Sequence, residues 1–251
     1  MHNGLSRRQA LGGMLAGALA DAVGHGAAAQ GTLPAAGVCR LFPQAIEGPY
    51  YFDPALLRAD ITEGRAGLSL ALALRVVDMG SCAPLAEARV DAWHADALGI
   101  YSGYAGQGEG RKISTVGETF LRGTQLTDEN GEVTFATIYP GWYPGRTPHI
   151  HIKVFLDTTR LVTGQIYFPD DLSERVYATH TPYMSRGRPD TTNAQDGLFR
   201  EGEREGGGMV LTVEEGGGPL SAFLLIAVDR TGEAARQRGG WRAAIRRSLG
   251  L

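Results

Sequence analysis

The amino-acid sequence predicts an all-β protein, an antiparallel β-sandwich with long functional loops and little helix. Apolar and polar residues alternate in several short segments, which is the pattern of strands that bury one face. Glycine and proline, 36 and 12 of the 251 residues, are frequent between these segments. Short strands separated by Gly/Pro turns, without a convincing long helix among them, are typical of two packed sheets.

The clearest strand covers residues 68–77, where leucines recur at every second position from Leu68 to Leu74. The same periodicity predicts seven further strands, at residues 89–93, 119–125, 132–138, 149–156, 163–168, 209–213 and 223–229. Asn130-Gly131 lies between the third and fourth strands and predicts a hairpin that joins them. Two segments rich in Gly, Pro and polar residues, 102–117 and 168–208, are predicted to be long functional or disordered loops.

Residues 1–29 are predicted to be a twin-arginine-type export signal, which leaves residues 30–251 as the mature domain. Arg7-Arg8 precede a mild, Gly/Ala-rich apolar segment, and Ala27-Ala28-Ala29 fits a cleavage site. The apolar segment is too short and too weakly apolar to span a membrane. We therefore expect a periplasmic or secreted bacterial protein with no membrane segment in its mature form. Near the other end, Trp241, Ile245 and Leu249 recur at helical spacing and predict a short helix.

The charge balance and the cysteines restrict the function further. The formal net charge of −3 lacks the basic excess that nucleic-acid-binding proteins usually show. Cys39 and Cys82 are the only cysteines in the sequence. In an oxidising compartment such a pair predicts one disulfide, and two free buried thiols are the alternative.

His149-Ile150-His151 is the first candidate for chemistry. In a strand, residues i and i+2 point to the same face, so both imidazoles can reach one metal ion. Tyr143 precedes them in a segment, residues 139–148, whose prolines and glycines hold a fixed path. Tyr101 follows the second predicted strand. Two phenolates and two imidazoles are a donor set that suits ferric iron better than zinc or calcium.

The sequence resembles the intradiol ring-cleavage dioxygenases at residues 47–52, 93–101 and 120–151. The last block is the most specific, with Phe120-Leu121-Arg122-Gly123 followed by Tyr, Arg and His-x-His at fixed spacing. The resemblance covers about residues 39–168, with weaker support to 229. It implies that residues 30–251 form a catalytic domain. It implies a non-haem Fe(III) ion and insertion of both O2 atoms between the hydroxylated carbons of a catechol, giving a muconate-type dicarboxylic acid.

The resemblance also implies roles for six residues. It assigns the metal ligands to Tyr101, Tyr143, His149 and His151. Tyr143 would be the labile ligand that leaves when the diol binds and helps to remove its protons. Arg146 would stabilise negative charge on the ring, and Gln165 would line the same pocket and hydrogen-bond an oxygen or orient Arg146. The expected partners are a small aromatic diol and O2, and the resemblance leaves a homo-oligomer, a hetero-oligomer or a monomer open.

Two other functional classes are consistent with parts of the sequence. A non-catalytic transthyretin-like or carbohydrate-binding sandwich has a similar strand pattern but gives the Tyr/His set no purpose. A zinc hydrolase built on His-x-His lacks a convincing third His or acidic ligand. The absence of room for an N-terminal helical region favours the protocatechuate-like or exported stand-alone branch over catechol-type members. Arg122 is predicted either to support the site or to lie on the surface.

Overall fold

The computed structural model describes residues 39–53, 55–216 and 218–237. Within these ranges it contains eight strands in two sheets, which confirms the predicted β-sandwich. The strands are β1 Ser69–Asp78, β2 Arg89–Trp93, β3 Arg122–Leu126, β4 Glu132–Ile138, β5 His149–Leu156, β6 Thr159–Tyr167, β7 Thr212–Glu214 and β8 Leu220–Val228. The predicted export signal and the C-terminal helix around Trp241 lie outside the described residues.

The first sheet has the order β4-β1-β8-β7 and the second the order β3-β2-β5-β6. Neighbouring strands are antiparallel except at the centre of the first sheet, where β1 and β8 run parallel. The predicted antiparallel sandwich is thus confirmed in its general arrangement, and this one pair departs from it. Parallel neighbours need a long crossover between them, and here the entire second sheet lies between β1 and β8 in the sequence.

The predicted hairpin between β3 and β4 does not form, although its turn does. The amide of Gly131 donates to the carbonyl of Asp128 at 2.9 Å, and Gly131 has a φ of +73°. However, β3 pairs with β2 in the second sheet, whereas β4 pairs with β1 in the first. The Asn-Gly turn is therefore a connection between the sheets, because a local turn signal does not determine the partner of the strand that follows.

Residues 168–208, predicted as a loop, contain two helices, α1 Asp170–Thr179 and α2 Gly197–Arg204. Two aspartates occupy the first turn of α1, where negative charge is favourable to the helix dipole. Asp196 caps α2 by accepting from the amides of Leu198 and Phe199 at 2.8 and 3.2 Å. Residues 102–117 form a loop with a single 3-10 turn, as predicted. No helix in the described ranges is long and apolar enough to cross a membrane.

The main core lies between the two sheets, and the first sheet contributes buried residues such as Leu72, Phe135 and Ile226. Ile152 and Val154 of β5 belong to this core. His149 and His151 alternate with the apolar residues of β5 and therefore point away from it. The outer face of the second sheet thus carries both histidines, and the loops that follow β2 and β4 cover them.

A disulfide joins Cys39 to Cys82, with their Cα atoms 5.6 Å apart, which confirms the predicted bond. The bond links the segment before the first sheet to the loop that follows β1 and closes a separation of 43 residues. Cys39 packs against the buried side chains of Val77 and Ala227. The disulfide therefore attaches an otherwise irregular segment to the edge of the core.

Replacing Cys82 with serine should lower the free energy of unfolding by about 4 kcal/mol, because the unfolded chain regains the freedom of the closed loop. Urea denaturation of the wild type and of Cys82→Ser, each with and without a reductant, measures this change. Reductant should lower the midpoint of the wild type to that of the variant and leave the variant unchanged. A wild-type midpoint that is insensitive to complete reduction would contradict the expectation.

Candidate metal centre

Four side chains converge at the outer face of the second sheet. Tyr143 Oη lies 3.1 Å from His149 Nε2, which lies 3.2 Å from His151 Nε2. His151 Nε2 in turn lies 3.1 Å from Tyr101 Oη. Such separations are those of neighbouring ligands on an ion with bonds of about 2.0–2.2 Å. The structure thus brings together all four residues that the sequence singled out as metal ligands.

The two imidazoles present their Nε2 atoms to the same point. Nδ1 of His149 donates to the carbonyl of Thr147 at 2.7 Å, which leaves a lone pair on Nε2. The ring of His151 stacks on Trp93, with centroids 4.8 Å apart and planes 15° from parallel. Burial lowers the pKa of both histidines well below 6.5. Both rings are therefore neutral at neutral pH and can bind a cation.

The two tyrosines differ in their surroundings. Tyr101 is fully buried and its ring stacks on Tyr50 with centroids 4.7 Å apart. Tyr143 is half-buried. Burial raises the pKa of Tyr101 well above 10 and raises the pKa of Tyr143 as well. Ionising either phenol at neutral pH consequently requires a strongly charged cation beside it.

This donor set fits a ferric ion. Across the ranges that the structure describes, no group of three or more His, Cys, Asp or Glu side chains is placed to hold a metal ion. The two histidines therefore depend on the phenolic oxygens to complete a site. Hard oxygen donors combined with imidazole favour a trivalent iron over zinc, for which a third histidine or a carboxylate is usual.

Arg146 lies beside this cluster and is held from two sides. Its Nε donates to Asp196 Oδ2 at 2.7 Å, and its Nη2 donates to the side-chain carbonyl of Gln165. Its Nη1 lies 3.4 Å from Tyr143 Oη. Asp196 is wholly buried and also accepts from the amide of Thr147 at 3.1 Å. One carboxylate therefore fixes the arginine, the chain that leads to His149 and the start of α2.

Sequence reasoning missed Asp196. Asp196-Gly197-Leu198 was a recognisable signal, because an aspartate before an apolar residue is a common helix N-cap. Nothing in the sequence connected it to Arg146, which lies 50 positions earlier. Gln165, in contrast, is paired with His151 in the register of β5 and β6, and its Nε2 lies 3.5 Å from His151 Nδ1.

Arg122 supports the segment that carries Tyr101 and does not lie on the surface. Its side chain is buried, and its Nε and Nη2 donate at 2.8 Å to the hydroxyl and the carbonyl of Ser102, the residue after Tyr101. Its guanidinium lies 4.4 Å from the ring centroid of Phe52. Burial lowers its pKa to about 10, so Arg122 stays charged at neutral pH. The arginine thereby fixes the backbone that carries Tyr101.

Other aromatic and histidine side chains near the site have distinct places. Tyr50 lines the cavity beside the site, whereas the hydroxyl of Tyr51 donates to the buried Asp91 at 2.9 Å. His94 is fully buried, and its Nε2 lies 2.7 Å from the hydroxyl of Thr137. Burial lowers the pKa of His94 to about 4. Its role is therefore structural.

A cavity of about 940 Å³ opens onto the cluster. Five of the six residues that the sequence singled out contribute to its lining: Tyr101, Tyr143, Arg146, His151 and Gln165. His149 is buried behind these residues and contacts the cluster from the side away from the cavity. A small molecule in this cavity can therefore reach the metal-binding donors and the guanidinium together.

Comparisons with known proteins agree with these features. A family model described as Dioxygenase matches residues 46–180. The catechol 1,2-dioxygenase of Acinetobacter baylyi is 30% identical over 160 residues, which is 55% of this chain and 49% of that protein. The protocatechuate 3,4-dioxygenase beta chain of Burkholderia cepacia is 38% identical over 107 residues, 39% of this chain and 43% of that one. The matches thus span about half the length of these curated relatives.

Solved structures extend the match over most of the fold. An intradiol ring-cleavage dioxygenase from Tetranychus urticae is 35% identical, with a TM-score of 0.69, over 76% of this chain and 96% of that one. The dioxygenase domain of a dioxygenase–carbohydrate-binding fusion from Streptomyces sp. SirexAA-E is 27% identical, with a TM-score of 0.54, over 75% and 98%. On the family match and the Tetranychus structure together, the chain belongs to the intradiol ring-cleavage dioxygenase family.

Proposed function

We propose that this protein is a non-haem Fe(III) dioxygenase that cleaves a catechol-type ring between its two hydroxylated carbons, giving a muconate-type dicarboxylic acid. The ligands would be Tyr101, Tyr143, His149 and His151. The observation that carries the proposal is the chain of three contacts, 3.1, 3.2 and 3.1 Å long, that joins their four donor atoms beside an open cavity. A non-catalytic sandwich gives this cluster no role.

The bound ferric ion would supply Lewis acidity, a template for the two diol oxygens and a ring made reactive toward O2. The protein contributes a fixed frame. His149 and His151 are neutral and held by a carbonyl and by Trp93 respectively. Tyr101 is anchored on both sides of its peptide, because its amide donates to Gln107 at 3.1 Å and its carbonyl accepts from Thr115 at 2.7 Å.

Tyr143 is the residue that we assign to proton transfer. It is more exposed than Tyr101 and lines the cavity from a loop, so it can leave its position when a diol enters. Once displaced, its phenolate can accept a proton from a substrate hydroxyl within hydrogen-bond reach. Arg146 Nη1, 3.4 Å from Tyr143 Oη, stabilises the phenolate before it accepts the proton.

Arg146 is also placed to stabilise negative charge that develops on the ring. It lines the cavity with a fixed planar cation, and such a preorganised donor acts most strongly in a site from which water is excluded. Gln165 accepts from Arg146 Nη2 and from the hydroxyl of Tyr167, the latter at 2.9 Å. We therefore assign Gln165 to orienting the guanidinium and Asp196 to holding it from the other side.

Oxygen consumption by the iron-loaded protein tests the proposal, with catechol, protocatechuate, hydroxyquinol and chlorinated catechols as substrates. We expect uptake with at least one diol, a muconate-type product spectrum and a visible tyrosinate-to-iron band. A protein that stays colourless after iron loading, or that yields extradiol semialdehydes, would contradict it. Tight binding of zinc and rejection of iron would favour the metal hydrolase.

Replacing Tyr143 with phenylalanine should lower kcat about a hundredfold, because the proton acceptor is lost while three ligands remain. The variant should retain iron, although with a weaker and shifted visible band. Steady-state oxygen uptake and metal analysis measure both. The matched control is Tyr104→Phe, since the Tyr104 hydroxyl donates only to the backbone of Tyr51, at 2.8 Å, and should not affect kcat. An unchanged kcat in Tyr143→Phe would refute the assigned role.

We infer that the protein is exported. The disulfide between Cys39 and Cys82 supports this, because such bonds persist in oxidising compartments. The paired arginines before the apolar segment favour the twin-arginine route. N-terminal sequencing of the protein recovered from a bacterial periplasm tests the inference, and a chain that begins at Met1 would contradict cleavage after Ala29.

A further inference from the structure

The cavity is larger than a one-ring diol requires. We propose, on the basis of the proposed function, that the preferred substrates are catechols that carry a flat apolar arm such as a second aromatic ring. The arm would lie against the rim, by which we mean Ile46, Leu98, Trp142, Arg186 and Leu198, all of which line the cavity. The rim thus selects the substrate while the metal centre cleaves it.

The first argument is size. Sites of about 300–1,000 Å³ enclose most of a drug-sized ligand, and this cavity of about 940 Å³ lies near the upper end of that range. A single ring bound through its two hydroxyls at Tyr101, Tyr143 and His151 fills a small part of such a volume. The remainder would hold only water unless the substrate extends into it.

The second argument is the chemistry of the rim. Ile46 and Leu98 are large apolar side chains with exposed fractions of 47% and 39%, and both face the cavity. Exposed apolar side chains grouped around a concave site are a feature of ligand-binding grooves. Trp142 adds a flat ring, and the guanidinium of Arg186 lies 4.7 Å from the centroid of that ring. Flat apolar groups pack well on surfaces of this kind.

The third argument is how firmly this surface is built. Nη2 of Arg186 donates to the carbonyl of Trp142 at 3.2 Å, and the indole Nε1 donates to the carbonyl of Gly187 at 3.2 Å. Gly99 has a φ of +80°, and a Cβ there would collide with the carbonyl of Trp142. The close approach that only glycine permits therefore keeps the loop of Leu98 packed against the tryptophan.

The fourth argument is the guanidinium at the rim. Arg186 lines the cavity with a planar group that carries several N–H donors, of which Nη2 donates to the carbonyl of Trp142. An acceptor on a ligand in the cavity can take up another of these N–H groups. We therefore assign to the arm an oxygen, as in a phenol or an aryl ether, that accepts from the guanidinium of Arg186.

The test uses the iron-loaded full chain with catechol and phenylcatechol. Its readout is kcat/KM for phenylcatechol divided by kcat/KM for catechol. The wild type should cleave phenylcatechol at least as efficiently as catechol. Leu98→Trp, which places a bulky group in the rim, should lower the ratio about tenfold in favour of catechol. Ile46→Trp, at another point of the rim, should do the same. The matched control Leu57→Trp, at a 70% exposed leucine outside the cavity, should keep the wild-type ratio.

A second pair of variants tests the arginine. Arg186→Met should reduce the preference for a hydroxyphenyl arm over a phenyl arm about tenfold, because the acceptor loses its donor. Arg188→Met, at an exposed arginine outside the cavity, is the matched control and should keep that preference. Equal preferences in Arg186→Met and the wild type would overturn the role of Arg186.

The two proposals fail in different ways. A wild type that prefers catechol, with a ratio that neither Leu98→Trp nor Ile46→Trp changes, would overturn the extended substrate and leave ring cleavage standing. An iron-loaded protein that consumes no oxygen with any diol of either size would refute ring cleavage itself.

Discussion

Replacing His151 with alanine should leave a folded protein that binds iron poorly and has lost its ring-cleaving activity. The Nε2 atom of His151 lies between the donor atoms of two other ligands, 3.2 Å from His149 Nε2 and 3.1 Å from Tyr101 Oη. Loss of an outer partner of a metal ligand typically costs about 10- to 100-fold in affinity or activity. Loss of the ligand itself should lower the affinity for iron and the activity by more than that range. Metal analysis, the visible absorption band and oxygen uptake with catechol measure the three effects.

The matched control is His180→Ala, at the end of α1 and outside the cavity, which should keep the wild-type iron content. Thermal denaturation of both variants without metal separates loss of iron from loss of fold. Trp93, on which His151 stacks, remains in place, so the shape of the surrounding core should persist. A His151→Ala protein that retains a full equivalent of iron and its colour would exclude the residue as a ligand.

Replacing Asp196 with asparagine should affect both stability and turnover. Asparagine can still accept from the amides at the start of α2, so the helix cap is largely kept. It cannot accept from both Arg146 Nε and the Thr147 amide as the buried carboxylate does, and the arginine loses its charged partner. Breaking such a pair from one side costs about 3 kcal/mol or more. We expect the free energy of unfolding to fall by about that amount. We also expect kcat to fall about a hundredfold, since moving a group that stabilises charge in the transition state has effects of this order.

Urea denaturation and oxygen uptake measure the two effects of Asp196→Asn. The control is Asp171→Asn, which removes the exposed ion-pair partner of Arg175 in the first turn of α1 and should lower stability only slightly and leave turnover unchanged. Iron content should stay at the wild-type level in both proteins, because neither aspartate is a candidate ligand. A wild-type kcat in Asp196→Asn would show that Arg146 does not depend on this carboxylate.

The elements of the fold with a strong local pattern were predictable from the sequence. Leu68 to Leu74 alternate with smaller or charged residues, and the strand that they indicate is present as β1 within one residue. The pairing of strands was less predictable. Asn130-Gly131 forms its turn as expected, yet β3 and β4 separate into different sheets, because pairing depends on partners that are distant in sequence. Two short helices in residues 168–208 were missed because Pro and charged residues dominate that segment.

In the candidate site, too, local features were predictable from the sequence and contacts between distant residues were less so. The spacing of His149 and His151 on one strand is local, so their convergence could be expected from the sequence. The meeting of Tyr101 with Tyr143 was expected from the donor set that they complete and from resemblance to a known family, because no periodicity relates two loops. Asp196 was not identified, since its contact with Arg146 depends on where α2 is packed. The volume of the cavity and the composition of its rim likewise require the assembled fold.

The parallel pairing of β1 with β8 has a consequence for the order in which the two sheets can be completed during synthesis. A nascent chain that has emerged as far as β6 already contains every strand of the second sheet, and all four candidate ligands precede residue 152. The first sheet still lacks β7 and β8, because these are the last two of the strands that the structure describes. The half of the sandwich that carries the chemistry is thus available to a ribosome-bound chain, whereas closure of the other half awaits the C-terminal part of the protein.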